Sequence, residues 1–136
     1  KVLENFHGTK ILCLGDMREL DAAVVQSAHE EVARHAVKYA DFIVTVGPNM
    51  QAYFIQEVLK QGFEKSKLAS FLSSKEAANF LLKDVIQGGE VVLVKGSQNT
   101  ILMERIVYKL MKDRGKAREL LCRQDDYWDR VRGATP

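Results

Sequence analysis

Four short apolar runs lie along the chain and alternate with segments of helical periodicity. Three of the runs are nearly continuous rather than alternating, which is typical of strands covered on both faces of a parallel sheet. The third run is weaker because lysine and serine interrupt it. The pattern predicts four strands of a mostly parallel sheet. The runs occupy residues 11–14, 42–46, 67–72 and 91–94.

The first segment between the runs has the spacing of an amphipathic helix. Asp21 is a suitable cap, and the helix is expected to run to about Tyr39. Apolar side chains three or four residues apart give it a predicted buried stripe. The stripe consists of Val25, Ala28, Val32 and Ala36.

Three further helices are predicted downstream. One covers about residues 50–61 and stops at Gly62, a natural helix terminator. Ser73, followed three residues later by Glu76, forms a capping box, and its helix is expected to end near Ile86. The last follows Ser97 directly. Its expected apolar side comprises Ile101, Met103, Ile106, Val107 and Leu110.

The alternation of strands and helices predicts an α/β fold, a Rossmann-like three-layer domain with a mostly parallel sheet. Residues 1–113 are expected to form this domain. Residues 114–136 form a charged, helix-prone tail with Tyr127 and Trp128 near its end.

The composition argues against several classes of function. The chain has 136 residues, the size of one domain, and a formal net charge of +2, which gives no electrostatic argument for nucleic acid. No apolar run approaches the roughly 20 residues of a membrane span. Cys13 lies in an apolar run far from Cys122, so neither a disulfide framework nor a zinc site is expected. These features favour a cytoplasmic protein.

Polar and glycine-rich turns follow three of the predicted strands, at the edge of the sheet where parallel α/β folds bind ligands. They begin at Gly15-Asp16-Met17, at Gly47-Pro48-Asn49 and at Lys95-Gly96-Ser97. The first lacks the second glycine of a dinucleotide fingerprint, and the third lacks the upstream glycine of a P-loop. Neither turn predicts a complete nucleotide site.

The Lys95-Gly96-Ser97 turn has two interpretations. Backbone N–H groups at a helix start, next to a lysine, favour a carboxylate or phosphate. Alternatively, Ser97 only caps the helix while Lys95 points into solvent. Asp16 likewise either contacts a ligand amine or orients Lys95, or else shapes its own turn, which is the commoner role of an aspartate after glycine.

Histidines and acidic residues elsewhere give weaker signals. His29 lies at the edge of the predicted stripe and is interpreted as a hydrogen-bonded packing residue. Neither His7 nor His35 has a spacing that suggests metal binding. The tail carboxylates Asp125, Asp126 and Asp129 are interpreted as a solvated helix face rather than a metal site.

These motifs, in order and at suitable spacing over residues 1–112, resemble the C-terminal domain of the Mur ligases. Residues 10–20 are similar to the strand and Leu-Gly-Asp-Met turn that open that domain, and His29 fits a histidine about ten residues on. Residues 92–97 fit its last strand with the Lys-Gly-Ser turn, and Met103-Glu104 fits a Met-Glu pair in the next helix. The pattern is most similar to the member that joins D-alanyl-D-alanine to UDP-N-acetylmuramoyl-tripeptide.

The resemblance implies a cytoplasmic bacterial ligase of peptidoglycan synthesis, with roles in cell shape and division. In such ligases one domain binds the UDP-sugar substrate, a central domain holds ATP and Mg²⁺, and the last domain closes over both. It implies substrate- or ATP-facing roles for Asp16, Met17, Lys95, Gly96 and Ser97, and supporting roles for His29 and Asn49. No catalytic residue, metal ligand or cofactor is expected in this chain alone.

The segment that normally opens such a domain is absent upstream of Lys1, so the chain is expected to be a fragment without activity of its own. Two alternatives remain. A stand-alone α/β interaction module would use the tail as a docking surface, and a start codon near Lys1 would support it. A nucleotide-dependent oxidoreductase is disfavoured because the dinucleotide fingerprint is incomplete.

Overall fold

The computed structural model describes residues 2–97 and 101–134. Within them, four strands form one sheet in the order β3-β2-β1-β4, and each neighbouring pair is parallel. This confirms the predicted α/β fold class. The strands are β1 (Lys10–Gly15), β2 (Phe42–Val46), β3 (Leu68–Phe71) and β4 (Val91–Lys95).

Helical segments separate the strands, as predicted. A π-helical turn at Met50–Phe54 leads into the second helix, and another at Leu81–Val85 continues the third. None of the helices in the described part of the chain has the length and apolar character needed to cross a membrane. The helices are α1 (Val25–Ala36), α2 (Ile55–Lys60), α3 (Ser74–Phe80), α4 (Glu104–Leu110), α5 (Ala117–Leu120) and α6 (Asp126–Ala134).

Two apolar cores lie on opposite faces of the sheet. Side chains alternate along a strand, so Ile11 and Cys13 of β1 pack towards α3 and α4, while Leu12 and Leu14 pack towards α1 and α2. Both sets are buried. The helices on either side make a three-layer domain, which explains why the central strand β1 is apolar from Ile11 to Leu14.

The first helix begins later than predicted. Asp21 closes a turn instead, because its carboxylate accepts the Ala23 N–H at 2.9 Å, and the helix starts at Val25. The buried face is also rotated from the predicted stripe, so that Val25, Ala28 and Val32 are only half-buried. The fully buried residues of the helix are His29, Ala33 and Ala36.

The last helix of the predicted domain also begins later than expected, at Glu104 rather than directly after Ser97. The first residues of the predicted helix, 98–100, lie outside the described residues. A buried stretch at 101–103 precedes the helix, and Leu102 has a φ of 49°. Because this left-handed conformation interrupts a helix, the sequence stretch cannot continue as one helix from Ser97.

The tail contains the short helices α5 and α6 and packs against α4. Ala117 is buried, and Arg123 and Arg132 reach the carboxylate of Glu104 at the start of α4. Asp125 accepts the Trp128 N–H at 3.1 Å and so caps α6. Charged contacts to Glu104 therefore help to attach the tail to the domain.

Candidate functional site

The three turns predicted as candidates meet at the carboxyl edge of the sheet. Leu14 of β1 lies beside Thr45 of β2 and Lys95 of β4, so these strands end at nearly the same level. The Asp16 N–H donates to the Val46 carbonyl at 3.0 Å. Parallel strand order therefore assembles a site from segments that are distant in sequence.

Asp16 links the first turn to the second. Its carboxylate is 1% exposed and accepts the Met50 N–H at 2.8 Å and the Asn49 N–H at 3.3 Å. These N–H groups begin the helical segment after β2 and have no partner within a helix, so the aspartate acts as their cap from another turn. Asp16 faces backbone here, and its substrate-facing role stays a prediction.

Gly47 makes this arrangement possible. Its φ is +123°, and a Cβ added there would lie 2.4 Å from the Asp16 Cγ. Only glycine combines that backbone conformation with room for the carboxylate. The glycine after β2 is thus needed for a contact with the turn after β1.

His29 fixes the next residue of the first turn. Its Nε2 accepts the Met17 N–H at 3.2 Å, and its Nδ1 donates to the Val25 carbonyl at 2.7 Å. An imidazole with one donating and one accepting nitrogen is neutral, with the proton on Nδ1. His29 is fully buried, at the centre of the α1 face rather than at its edge. From this buried position, His29 fixes the first turn through its hydrogen bond to Met17.

Ser97 joins the first turn to the turn after β4. Its Oγ accepts the Arg18 N–H at 2.9 Å, and its own N–H lies 3.4 Å from the Asp16 carbonyl. The hydroxyl proton remains able to donate. Three successive residues, Asp16, Met17 and Arg18, are therefore each bonded to a different element.

Met103 packs beneath these turns. A Cβ on Gly15 would lie 3.0 Å from the Met103 Cγ, and a Cβ on Gly96 would lie 2.6 Å from the same atom. Both glycines are needed for this close packing. The buried stretch before α4 thus supports the first and third turns together.

A concavity of about 280 Å³ lies between the first and third turns. Lys95, which is exposed, and Glu19 both line it, so a cationic and an anionic group border the same space. Among the described residues, no carboxylate forms an ion pair with Lys95. The other lining residues are Leu14, Gly15, Met17, Val32, Met50, Gly96 and Ser97.

The predicted site residues are therefore close together but not equivalent. The concavity is lined by Met17, Lys95, Gly96 and Ser97. Hydrogen bonds that fix the surrounding turns involve Asp16, His29 and Asn49. Sequence reasoning missed Glu19 as a lining residue. Its position three residues after Asp16, in the same polar turn, was the available signal.

The acidic residues of the tail make other contacts. Asp129 pairs with Arg118 and Arg132, and Asp125 caps α6. In residues 2–97 and 101–134, no three His, Cys, Asp or Glu side chains form a group that could hold a metal ion.

Most of the chain matches a known protein family. Residues 1–98 match the family described as "Mur ligase, glutamate ligase domain". No curated protein sequence matches the chain.

Solved structures give a consistent result. One crystal structure of MurF from Acinetobacter baumannii is similar with a TM-score of 0.60 and 27% identity, over 82% of this chain and 24% of that chain. A second crystal structure of the same protein gives a TM-score of 0.63 and 26% identity, over 82% of this chain and 23% of that chain. The chain spans about a quarter of the length of these proteins.

Proposed function

Because this chain belongs to the Mur ligase family through its glutamate ligase domain, we propose that it is the substrate-positioning domain of an ATP-dependent amide ligase. The proposed reaction joins D-alanyl-D-alanine to UDP-N-acetylmuramoyl-tripeptide in bacterial peptidoglycan synthesis, in the cytoplasm. The family match carries the proposal, and similarity to MurF at 26–27% identity favours this member of the family.

The concavity suits a zwitterionic dipeptide. Lys95 would complement the carboxylate of the dipeptide, and Glu19 would attract its ammonium group. The Ser97 hydroxyl, held by the Arg18 N–H, would donate its proton to a ligand oxygen. Asp16 and His29 would keep these groups in place, because they fix the turn that carries Glu19.

ATP and Mg²⁺ are proposed to bind mainly to the central domain of the ligase, where MgATP supplies the phosphoryl group that activates a substrate carboxylate. The carboxylate of Asp16 is occupied by two backbone N–H groups, so it does not fit a magnesium ligand in this arrangement. The exposed ammonium group of Lys95 forms no ion pair with a described carboxylate, and such a group fits an anion. Lys95 would therefore face a phosphate or carboxylate when the domain closes.

The test is phosphate release by the ligase polypeptide that carries this chain, measured with ATP, UDP-N-acetylmuramoyl-tripeptide and D-alanyl-D-alanine. Lys95→Ala is expected to lower kcat/KM by about 100-fold, since one charge-assisted contact with a reacting ligand is lost. Lys38 is an exposed lysine in the turn after α1, so Lys38→Ala is the matched control and should turn over normally.

Normal turnover by Lys95→Ala would remove Lys95 from the site while leaving the ligase assignment. Absence of substrate-dependent phosphate release by the unaltered polypeptide would contradict the ligase and favour the stand-alone interaction module.

A further inference from the structure

An excess of basic side chains borders one region of this chain. Two adjoining clefts between α3, α4 and the tail are bordered by six basic side chains and by two carboxylates, Glu104 and Asp129. The whole chain has a net charge of only +2. The remainder is therefore slightly acidic, and these clefts are the basic part of the molecule. The six basic residues are Lys75, Arg105, Lys109, Arg114, Arg118 and Arg132.

Charged contacts between the tail and α4 build the clefts. Glu104 is 6% exposed, and its carboxylate lies 3.1 Å from Arg123 and 3.7 Å from Arg132. Arg105 donates to the Arg132 carbonyl at 2.6 Å. Arg123 also lies over the ring of Trp128, 5.3 Å from its centroid. These contacts hold α6 against α4, so that Arg132 forms a wall of both clefts.

The carboxylates in the clefts are already paired. Glu104 is shared between two arginines, and Asp129 contacts Arg118 and Arg132. No carboxylate of the described residues lines the larger cleft, which has a volume of about 760 Å³. Within the described chain, Lys75 and Lys109 form no ion pair and border that cleft from α3 and from α4.

Like charges crowd each other in this cleft. Partial burial is the main cause that lowers the pKa of Arg105; the Glu104 carboxylate opposes this change, and the positive charge of Arg132 lowers the pKa further. A cleft with charges of one sign and low-dielectric walls concentrates counter-ions. A bound anion would relieve the repulsion between the cations.

We infer that the cleft between α3, α4 and α6 binds a small molecule with a multivalent oxyanion, either a phosphate or a polycarboxylate. The volume is in the range of small-molecule sites, about 300–1,000 Å³. Tyr108, which is 45% exposed, provides an aromatic surface beside the cations. This site is separate from the concavity at Lys95, and its occupation does not depend on ligase activity.

Binding to the 136-residue chain can be measured by calorimetry and by amide NMR, with pyrophosphate and with citrate at constant ionic strength. Saturable binding is expected, with shifts at Lys75, Asn79, Arg105 and Lys109. Lys75→Gln combined with Lys109→Gln should weaken it about tenfold or more, since each contact is charge-assisted. Lys38→Gln combined with Lys65→Gln makes the same change in net charge outside the cleft and should weaken binding less than about twofold.

Tighter binding of pyrophosphate would identify phosphate as the natural group, and tighter binding of citrate would identify a carboxylate. Equal weakening by the two double variants would overturn the site, because the effect would then be one of net charge. Shifts confined to the Lys95 turn, or binding of an acidic peptide with neither small anion, would also overturn it. Lys38, Lys65 and Lys75 are exposed and Lys109 is partly buried, so unchanged thermal unfolding of both variants would confirm that the fold is retained.

Discussion

Single residues at the sheet edge are selected by contacts with other turns. Glycine is required at position 47 because the Asp16 carboxylate occupies the space of its side chain. Asp16 is in turn buried because two N–H groups before α2 need an acceptor. The Gly-Asp-Met motif thus has a structural role in addition to any contact with substrate.

Gly47→Ala tests this coupling. The substitution should lower the free energy of unfolding by about 4 kcal/mol, from backbone strain and from displacement of a hydrogen-bonded carboxylate. Gly62→Ala is the matched control, since Gly62 also has a positive φ, +79°, but nothing lies within 4 Å of the added Cβ. Gly62→Ala should lower the free energy of unfolding by only about 1 kcal/mol. Equal costs in urea unfolding would show that the Asp16 contact contributes nothing.

Pairs of helices are joined by polar contacts as well as by the core. Glu57 of α2 accepts from Gln61 at 2.8 Å and from Arg34 of α1 at 3.2 Å. The hydrogen bond from Gln61, then that from Arg34, lowers the pKa of Glu57 below its usual range near 4.5. A lowered pKa means that the ionised carboxylate stabilises the folded state.

Glu57 should therefore add to the free energy of unfolding at neutral pH. This contribution should disappear as the pH falls through the folded-state pKa, below about 4.5. The difference in free energy of unfolding between the unaltered chain and Glu57→Gln should shrink between about pH 5 and pH 3. Urea unfolding at several pH values measures it. Glu31→Gln, an exposed residue of α1, serves as control. A difference for Glu57→Gln that stays constant with pH would contradict the assigned contacts.

In the molecule as a whole, Glu104 joins the tail to the domain through its ion pairs with Arg123 and Arg132. Removal of the nearly buried Glu104 carboxylate takes away the partner of Arg123, while Arg132 keeps its ion pair with Asp129. The tail also contains Trp128, the only tryptophan in the sequence. Its fluorescence therefore reports on the tail, while circular dichroism reports on the whole domain.

Glu104→Ala should release the tail before the domain unfolds, at a cost of about 3 kcal/mol to tail docking. In the unaltered chain, the fluorescence and circular dichroism transitions in urea should coincide. In Glu104→Ala, the fluorescence transition should move to lower urea. Glu31→Ala should leave both unchanged. Coincident transitions in Glu104→Ala would show that the tail is held by other contacts.

The fold class was predictable because a strand buried on both faces has a nearly continuous apolar sequence, as in residues 11–14. The order of elements and the three polar turns followed from it. Helix starts were less predictable. The late starts of α1 and α4 depend on a turn closed by Asp21 and on the left-handed Leu102, which are local conformations without an unambiguous pattern.

The strands, the α/β class and the segments that supply the candidate site can be read from the sequence, because hydrophobic periodicity and glycine positions are local properties. The orientation of individual groups depends on the folded chain. Folding turned Asp16 towards the backbone, brought Glu19 to the concavity of Lys95 and gathered six basic residues into the clefts between α3, α4 and the tail. These outcomes depend on contacts between residues distant in sequence, and a net charge of +2 holds no record of where the charges meet.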